Sequence, residues 1–554
     1  MFGMYMSKKA GKDQKKERRS PGADKHVNEQ MKDYEHQPVV PVLTELLDKI
    51  KKEMGESSDL IIRGLDLTDR QGKDGDKDIA LVYIQGLIED ERLDKFVIQT
   101  IQQDPELPSQ LKQLKEQVRQ TNADSPEEPV LSRIKSHLIA IGLICEIKTF
   151  KDLFEKLFLG YALVFIEGSP SGIGCNVYGG PKRSVEEPKT EMMIRGPREG
   201  FTESLRVNTI LLRRKIRSPK LWMEQMKVGE ITQTPVAIMY IKGLADESVI
   251  EDLKRRIKDI KNDGILESSY IEEMITDQKW TPFPTIISHE RPDVIASNLL
   301  DGRVAIIVDG TPFVLVVPST LNMFFQAAED YYQNYQMATF LRMLRFSSFF
   351  IALLMPSIYV AIIGYHQEMI PTQLLLKLAA QREGVPFPAY LEAFIMELVF
   401  EILREAVLRM PSTAGSAISI VGGLVIGQSI VEAGIVSSAV VIVVAFTAIS
   451  SFVAPIYSLG IAARLLRFLL LIAASTLGFY GIALVMLLIL LHMSNLTSFG
   501  IPYLKPFAPF NWKDFKDTLL RVPLWMMKER PQQIGDRDQV RDNSAAEPRR
   551  EPSQ

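Results

Sequence analysis

The chain has 554 residues, a formal net charge of −3, 46% hydrophobic and 24% charged residues, and two cysteines. A length of this order holds more than one domain. The near-neutral balance gives no global attraction to nucleic acid, and the two cysteines, Cys145 and Cys175, are either a buried pair or singletons and suggest no disulfide framework or cysteine-based metal site. The charges are uneven: they crowd both ends and thin out after Phe346, so a soluble part and a membrane part are averaged together.

Residues 1–39 are polar and rich in charges of both signs, which predicts a disordered tail with no signal peptide. The cluster Lys8–Arg19 reads as part of that solvated tail, with contact to anionic lipid or nucleic acid as the competitor. A short amphipathic helix is predicted over Val40–Met54.

From about Leu60 to Pro318 short apolar runs alternate with amphipathic segments, the pattern of an α/β region. It contains an internal repeat. ALVYIQGLIEDERLDKF (Ala80–Phe96) matches AIMYIKGLADESVIEDL (Ala237–Leu253), and FEKLFLGYALVFIEG (Phe154–Gly168) matches VIASNLLDGRVAIIVDG (Val294–Gly310). Gly86 falls on Gly243, Gly160 on Gly302 and Gly168 on Gly310. Two matching pairs in the same order predict two related α/β subdomains, 40–217 and 218–318. Two lobes create a cleft, which is either a ligand site or simply the seam of a rigid scaffold.

Between the copies, Arg195–Pro219 turns helical after GPREGF, with Glu203 in the first turn and Arg213, Arg214 and Lys215 in the last. That placement complements the helix dipole, and Glu203 can pair with Arg206. Charge on this helix means either a solvated face or an inter-domain or inter-subunit docking surface, carried by Glu203, Arg206, Arg213 and Arg214.

Ser319–Arg345 is predicted as a connecting helix that leads into Phe346–Tyr365, twenty residues without a charge. That run reads as a transmembrane helix, and Arg342 and Arg345 at its entrance place the soluble part in the cytoplasm. The transmembrane domain is expected over 346–492, as an all-α bundle with spans at about 346–365, 413–432, 435–457 and 468–492. A fifth span arises if the Glu-rich helix Ala389–Arg409 also crosses. On that helix Glu397, Glu401 and Glu405 recur every fourth residue. Carboxylates so aligned are too costly to face lipid, so the helix either lies at the membrane surface or turns its acids toward water as a pore or gating element.

Within Pro411–Pro455 the residues Gly415, Ser419, Gly423 and Gly427 form one stripe of small side chains on a helix, which permits close helix approach. The stripe serves either packing inside one protomer or assembly between protomers. Glu432, the charge in that stretch, is expected to cap the turn between two spans. A membrane-proximal segment, 493–529, and a disordered tail, 530–554, complete the chain.

No catalytic constellation emerges. The six histidines are scattered, GSPSGIGCNVYGG (Gly168–Gly180) lacks the lysine of a phosphate loop and reads as a turn, and no basic, aromatic-interleaved surface marks a nucleic-acid binder. The chain is expected to be no enzyme and to need no cofactor and no metal.

Three stretches taken together, GPREGFTESLRVNTILLRRKI, MPSTAGSAISIVGGLVIGQSIVEAGIVSSAVVIVVAFTAISSF and SFGIPYLKPFAPFNWKDFKDTLLR, closely resemble the A subunits of GerA-type spore germination receptors, over roughly residues 60–530. The resemblance implies a protein of the spore inner membrane, acting with a permease-like B subunit and a lipoprotein C subunit to sense small nutrients. It also implies two α/β lobes in the soluble region and A subunits that oligomerise into an ion-conducting assembly. The alternatives are a transport component moving its own solute and a small-ligand-binding scaffold anchored by the helices.

Overall fold

The computed structural model describes residues 34–65, 78–111, 134–135, 143–179, 187–188, 191, 193–409, 427–511 and 515–527. The repeat legible in the sequence becomes two five-stranded sheets. The first holds β1 (Leu60–Leu65), β2 (Ile79–Ile84), β3 (Ile144–Ile147), β4 (Tyr161–Ile166) and β5 (Gly172–Asn176). The second holds β6 (Leu221–Val228), β7 (Thr234–Ile241), β8 (Ile287–His289), β9 (Val304–Val308) and β10 (Val314–Val317). Their strand orders, β1-β2-β4-β5-β3 and β6-β7-β9-β10-β8, are the same order displaced by one copy, and every pairing is antiparallel.

The aligned glycines explain why the copies superimpose in pattern. Gly86 and Gly243 have φ of 88° and 86°, Gly160 and Gly302 of 82° and 90°, and Gly168 and Gly310 of 86° and 94°. Each turn needs a left-handed residue, which glycine supplies at no steric cost. Cys145 on β3 and Cys175 on β5 are free thiols.

Each sheet carries an N-terminal helix and a helix before its fourth strand. These are α1 (Leu43–Glu53) and α2 (Phe150–Phe158) in the first unit, and α3 (Leu205–Lys215) and α6 (Pro292–Leu300) in the second, where α4 (Glu247–Lys258) and α5 (Ser268–Ile275) follow β7. Thr149 caps α2 in a reciprocal box with Asp152. The α3 helix, grouped with the first copy on sequence, contributes Leu205, Leu211 and Leu212 to the same core as Leu221, Ala237 and Ile307 of the second sheet. Tyr34 and Val39, in a stretch expected to be disordered, are buried against α1 and α2. Residues 1–33 and 528–554 lie outside the described residues.

The connector after β10 differs from the expected long helix. A 3-10 turn, Leu321–Phe325, and a single helical turn, Glu329–Tyr332, come first. Then α7 runs unbroken from Tyr335 to Tyr365. The aromatics expected on one helix are instead spent on packing: Phe324 is in the core, and Phe325 stacks on Phe346 with ring centroids 4.0 Å apart.

Beyond α7 lie α8 (Thr372–Arg382), α9 (Ala389–Arg409), α10 (Ser438–Ser451), α11 (Tyr457–Leu477) and α12 (Phe479–Asn495). Among the described residues α7 and α11 are long and apolar enough to cross a membrane, and α10 and α12 are shorter apolar helices. The run 468–492, expected as one span, breaks at Gly478 (φ 59°), and α12 packs back along α11. The reversal works because Gly478 has no Cβ: one there would come within 2.9 Å of His366 and Tyr365. Tyr365 Oη, at the far end of α7, donates to the Ser475 carbonyl at 2.6 Å, so α7 and α11 lead away from the sheets and α12 returns. At the returning end, Ser498 Oγ donates to the Thr285 carbonyl (2.7 Å) and Tyr503 is fully buried, which ties the membrane-proximal segment to the second unit.

Candidate functional site

Three charged clusters join the parts of the chain, and each is built from residues distant in sequence. The first couples the two α/β units through α3. The Arg213 guanidinium is fully buried and grips Asp59 with two hydrogen bonds, Nε to Oδ2 at 2.7 Å and Nη2 to Oδ1 at 2.8 Å. Its remaining donors reach Ser57 Oγ (2.8 Å) and the Leu221 carbonyl (2.6 Å). Burial by itself would push the Asp59 carboxyl up, but the charge and hydrogen bonds of Arg213, with the Ser57 hydroxyl, hold it below its ordinary value.

About two turns earlier on the helix Arg206 pairs with Asp90 at 2.9 Å, and Arg214, next to Arg213, lies over the Tyr178 ring at 5.5 Å. Ile210 enters the first unit's core, and Gly86 leaves it room: a Cβ there would lie 2.3 Å from Ile210. Three of the four docking residues singled out in the sequence thus reach from the second unit to the first. Glu203 precedes the helix, its carbonyl accepting from Gly310 N–H at 2.7 Å, and Arg206 takes Asp90 rather than Glu203 as its partner.

The second cluster sits where α7 leaves the second unit. Arg342 and Arg345, read as interfacial charges, are buried: both bond Asp330, at 3.1 and 2.8 Å. Arg342 also holds Asp517 at 3.0 Å, and Tyr331 Oη donates to the same carboxylate at 2.6 Å. Burial pushes the Asp517 carboxyl above its ordinary value, against the pull of Arg342 and Tyr331. The C-terminal segment is therefore a structural element of the junction, which the sequence reading of 493–529 as a membrane-proximal segment did not anticipate.

Beside this cluster is a cleft of about 510 Å³ between α6, residues 321–332 and the α10–α11 connection. Arg291, Asp293, Asn298, Tyr331, Tyr332 and Pro455 are among its walls. Two of its charges pair with each other, Arg291 with Asp293 at 3.0 Å, and Tyr332 Oη donates to that carboxylate at 2.6 Å, while Arg291 Nε and Asp293 Oδ1 are buried without a hydrogen-bond partner among the described residues. Among the described residues no group of His, Cys, Asp or Glu is arranged to hold a metal.

The third cluster lies among the helices and changes the reading of the Glu-rich α9. Two of its three aligned acids, Glu397 and Glu401, face arginines of another helix of the same chain. Glu401 accepts from both Arg464 and Arg467 at 3.0 Å, and Glu397 lies within ion-pair distance of Arg467, at 3.2 Å, with no hydrogen bond to its carboxylate among the described residues. Glu392, not singled out in the sequence, is fully buried and bridges Arg382 (3.2 Å) and the Ser437 N–H (2.9 Å). Glu405 is exposed and pairs with Arg409 on its own helix. Glu432 is exposed and accepts from Gln428 at 2.8 Å. Of the small-residue stripe, Gly415, Ser419 and Gly423 lie outside the described residues, and a Cβ at Gly427 would meet open space.

These features can be set beside known proteins. The family described as Bacillus/Clostridium GerA spore germination protein matches residues 48–533. The chain is 46% identical over 510 residues to "Spore germination protein KA" of Bacillus subtilis (strain 168), covering 92% of this chain and 90% of that one. It is 38% identical over 496 residues to "Spore germination protein GerLA" of Bacillus cereus, covering 90% and 96%. A third relative, "Uncharacterized membrane protein YfkQ" of Bacillus subtilis (strain 168), is 43% identical over 502 residues, covering 91% and 93%. Among solved structures, the N-terminal domain of the A subunit of the Bacillus megaterium spore germinant receptor GerK3 matches 50% of this chain and 96% of its own, at 33% identity and a TM-score of 0.37. With the family matched across nearly the whole chain, this protein belongs to the GerA spore germination proteins.

Proposed function

We propose that this chain is the A subunit of a nutrient germinant receptor of the spore inner membrane, with the two α/β units on the cytoplasmic side. It works with a permease-like B subunit and a lipoprotein C subunit, and copies of it assemble into a nutrient-gated ion channel. The family match over residues 48–533 carries the receptor part of this reading. The helices support the channel part in a modified form. Because Glu397 and Glu401 are neutralised by Arg464 and Arg467, the conducting path runs between copies of the chain and not through one protomer. Gly427 marks the surface for that contact, since it leaves space for an approaching backbone. Nutrient binding at a partner subunit shifts a closed–open equilibrium only through a difference in affinity between the two states.

Ion flux through vesicles holding the assembled complex tests the reading. Nutrient-dependent cation passage that is lost in Gly427→Leu, together with a smaller particle on gentle solubilisation, is the expected result. Absence of flux from a correctly assembled complex removes the channel and leaves the receptor. The junction cleft of about 510 Å³ favours a second reading, in which the soluble units themselves hold a small ligand beside α7. Calorimetric titration of the full chain, without partner subunits, with candidate nutrients separates the two.

A further inference from the structure

The loop between α5 and β8 carries Trp280, whose side chain is 96% exposed. An indole left in water forfeits the burial that stabilises such side chains. The loop is also held in a definite place. Gln278 Nε2 donates to the Asn495 carbonyl at 2.9 Å, His492 Nε2 lies 2.9 Å from Thr281 Oγ1, and Asp277 accepts from Thr497 Oγ1 at 2.7 Å. These contacts fix Trp280 level with the returning end of α12, where the exposed apolar residues Leu487, Leu488, Leu490 and Leu491 give way to polar ones. The adjacent Lys279 is exposed.

A second exposed aromatic stands at the same level on a different element. Phe510 is 55% exposed and packs on Phe515, which packs on Phe507, which packs on Phe346 at a centroid distance of 6.5 Å. Phe346 opens the charge-free run of α7. Two segments remote in sequence therefore place outward aromatics where apolar helices meet the soluble units. Aromatic rings at that level, with a lysine alongside, suit the headgroup layer of a bilayer bearing anionic lipid.

Building on the membrane reading of the helices, we propose that Trp280 with Lys279 on one flank and Phe510 on the other seat the second α/β unit on the surface of an anionic phospholipid bilayer. The contact fixes the height of that unit relative to α7 and α12, so movement of the helices is passed to it without slack.

The test uses the full chain in vesicles of phosphatidylethanolamine and phosphatidylglycerol, made with ordinary or dibrominated acyl chains. Bromine quenches indoles that enter the bilayer, and the wild-type minus Trp280→Phe difference spectrum isolates emission from Trp280. That difference is expected to fall about twofold in brominated lipid, as an indole at the interface requires. Leu487→Trp, on the outward face of α12, serves as the companion variant. If its added emission is quenched while the Trp280 difference is unchanged, the proposed seat is wrong and the membrane reading stands. If neither is quenched, the membrane reading falls and the seat with it.

Discussion

Arg213→Met should uncouple the two α/β units, because it leaves Asp59 ionised, buried and facing no counter-charge. The arginine is fully buried and makes four hydrogen bonds, two of them to Asp59. Removing one partner of a buried pair costs about 3–5 kcal/mol, whereas replacing both with apolar groups is often nearly neutral. Hydrogen exchange of the full chain in detergent micelles, followed in peptides from β1 and α3, reads the opening directly. Arg213→Met is expected to speed exchange there by more than about a hundredfold, since each 1.4 kcal/mol is tenfold. The double variant Asp59→Leu, Arg213→Met is expected to recover most of that loss. A single-variant effect below about fivefold, or a double variant no better than the sum of its parts, would refute the account of a coupled buried pair. The pH dependence has a fixed sign. Because the folded Asp59 carboxyl sits below its unfolded value, the pair's contribution is complete above about pH 4 and is lost as pH falls through the lowered folded value. Wild type and variant should therefore converge in thermal unfolding midpoint only in strong acid.

The remaining predictions concern other clusters. Asp330→Asn leaves Arg342 and Arg345 buried without their shared carboxylate, and should cost about 3–5 kcal/mol at the junction; limited proteolysis within residues 503–527 should accelerate. Glu401→Gln should lower the amount of correctly assembled protein, whereas Glu405→Gln, which breaks only an exposed pair worth about 0.3–0.5 kcal/mol, should not; equal abundance of the two in membranes would count against a bracing role for Glu401. Burial, and then the charge of Glu267, pushes the Glu272 carboxyl on α5 up to about 7 from 4.5. Its contribution to stability is thus fully present below about pH 4.5 and lost as pH rises through about 7, so Glu272→Gln should flatten the thermal unfolding midpoint across that window.

Much of the soluble architecture was legible because it is a local property repeated twice. Gly86 with Gly243, Gly160 with Gly302 and Gly168 with Gly310 announce the same left-handed turns, and the apolar runs between them give β2, β4, β7 and β9. Aromatic spacing over 319–345 misled because it resembles a helical face, while Phe324 and Phe325 are in fact claimed by the core and by Phe346. An apolar run likewise carries no sign of reversal, so the hairpin at Gly478 could not be separated from one continuous span.

Composition and pattern by themselves determined the α/β repeat, the apolar helices after it and the charged face of α3. Which carboxylate meets which arginine was decided only by the tertiary structure: Arg213 with Asp59, Arg342 and Arg345 with Asp330, and Glu397 and Glu401 with Arg467. Periodicity records which residues share a face of one helix, but a charge in a poorly solvated interior is stabilised by whatever opposite charge the fold brings to it. For α9, that partner lies more than sixty residues away on α11, and so two acids of a row that reads like the wall of a pore, Glu397 and Glu401, pair across two helices, while Glu405 stays exposed.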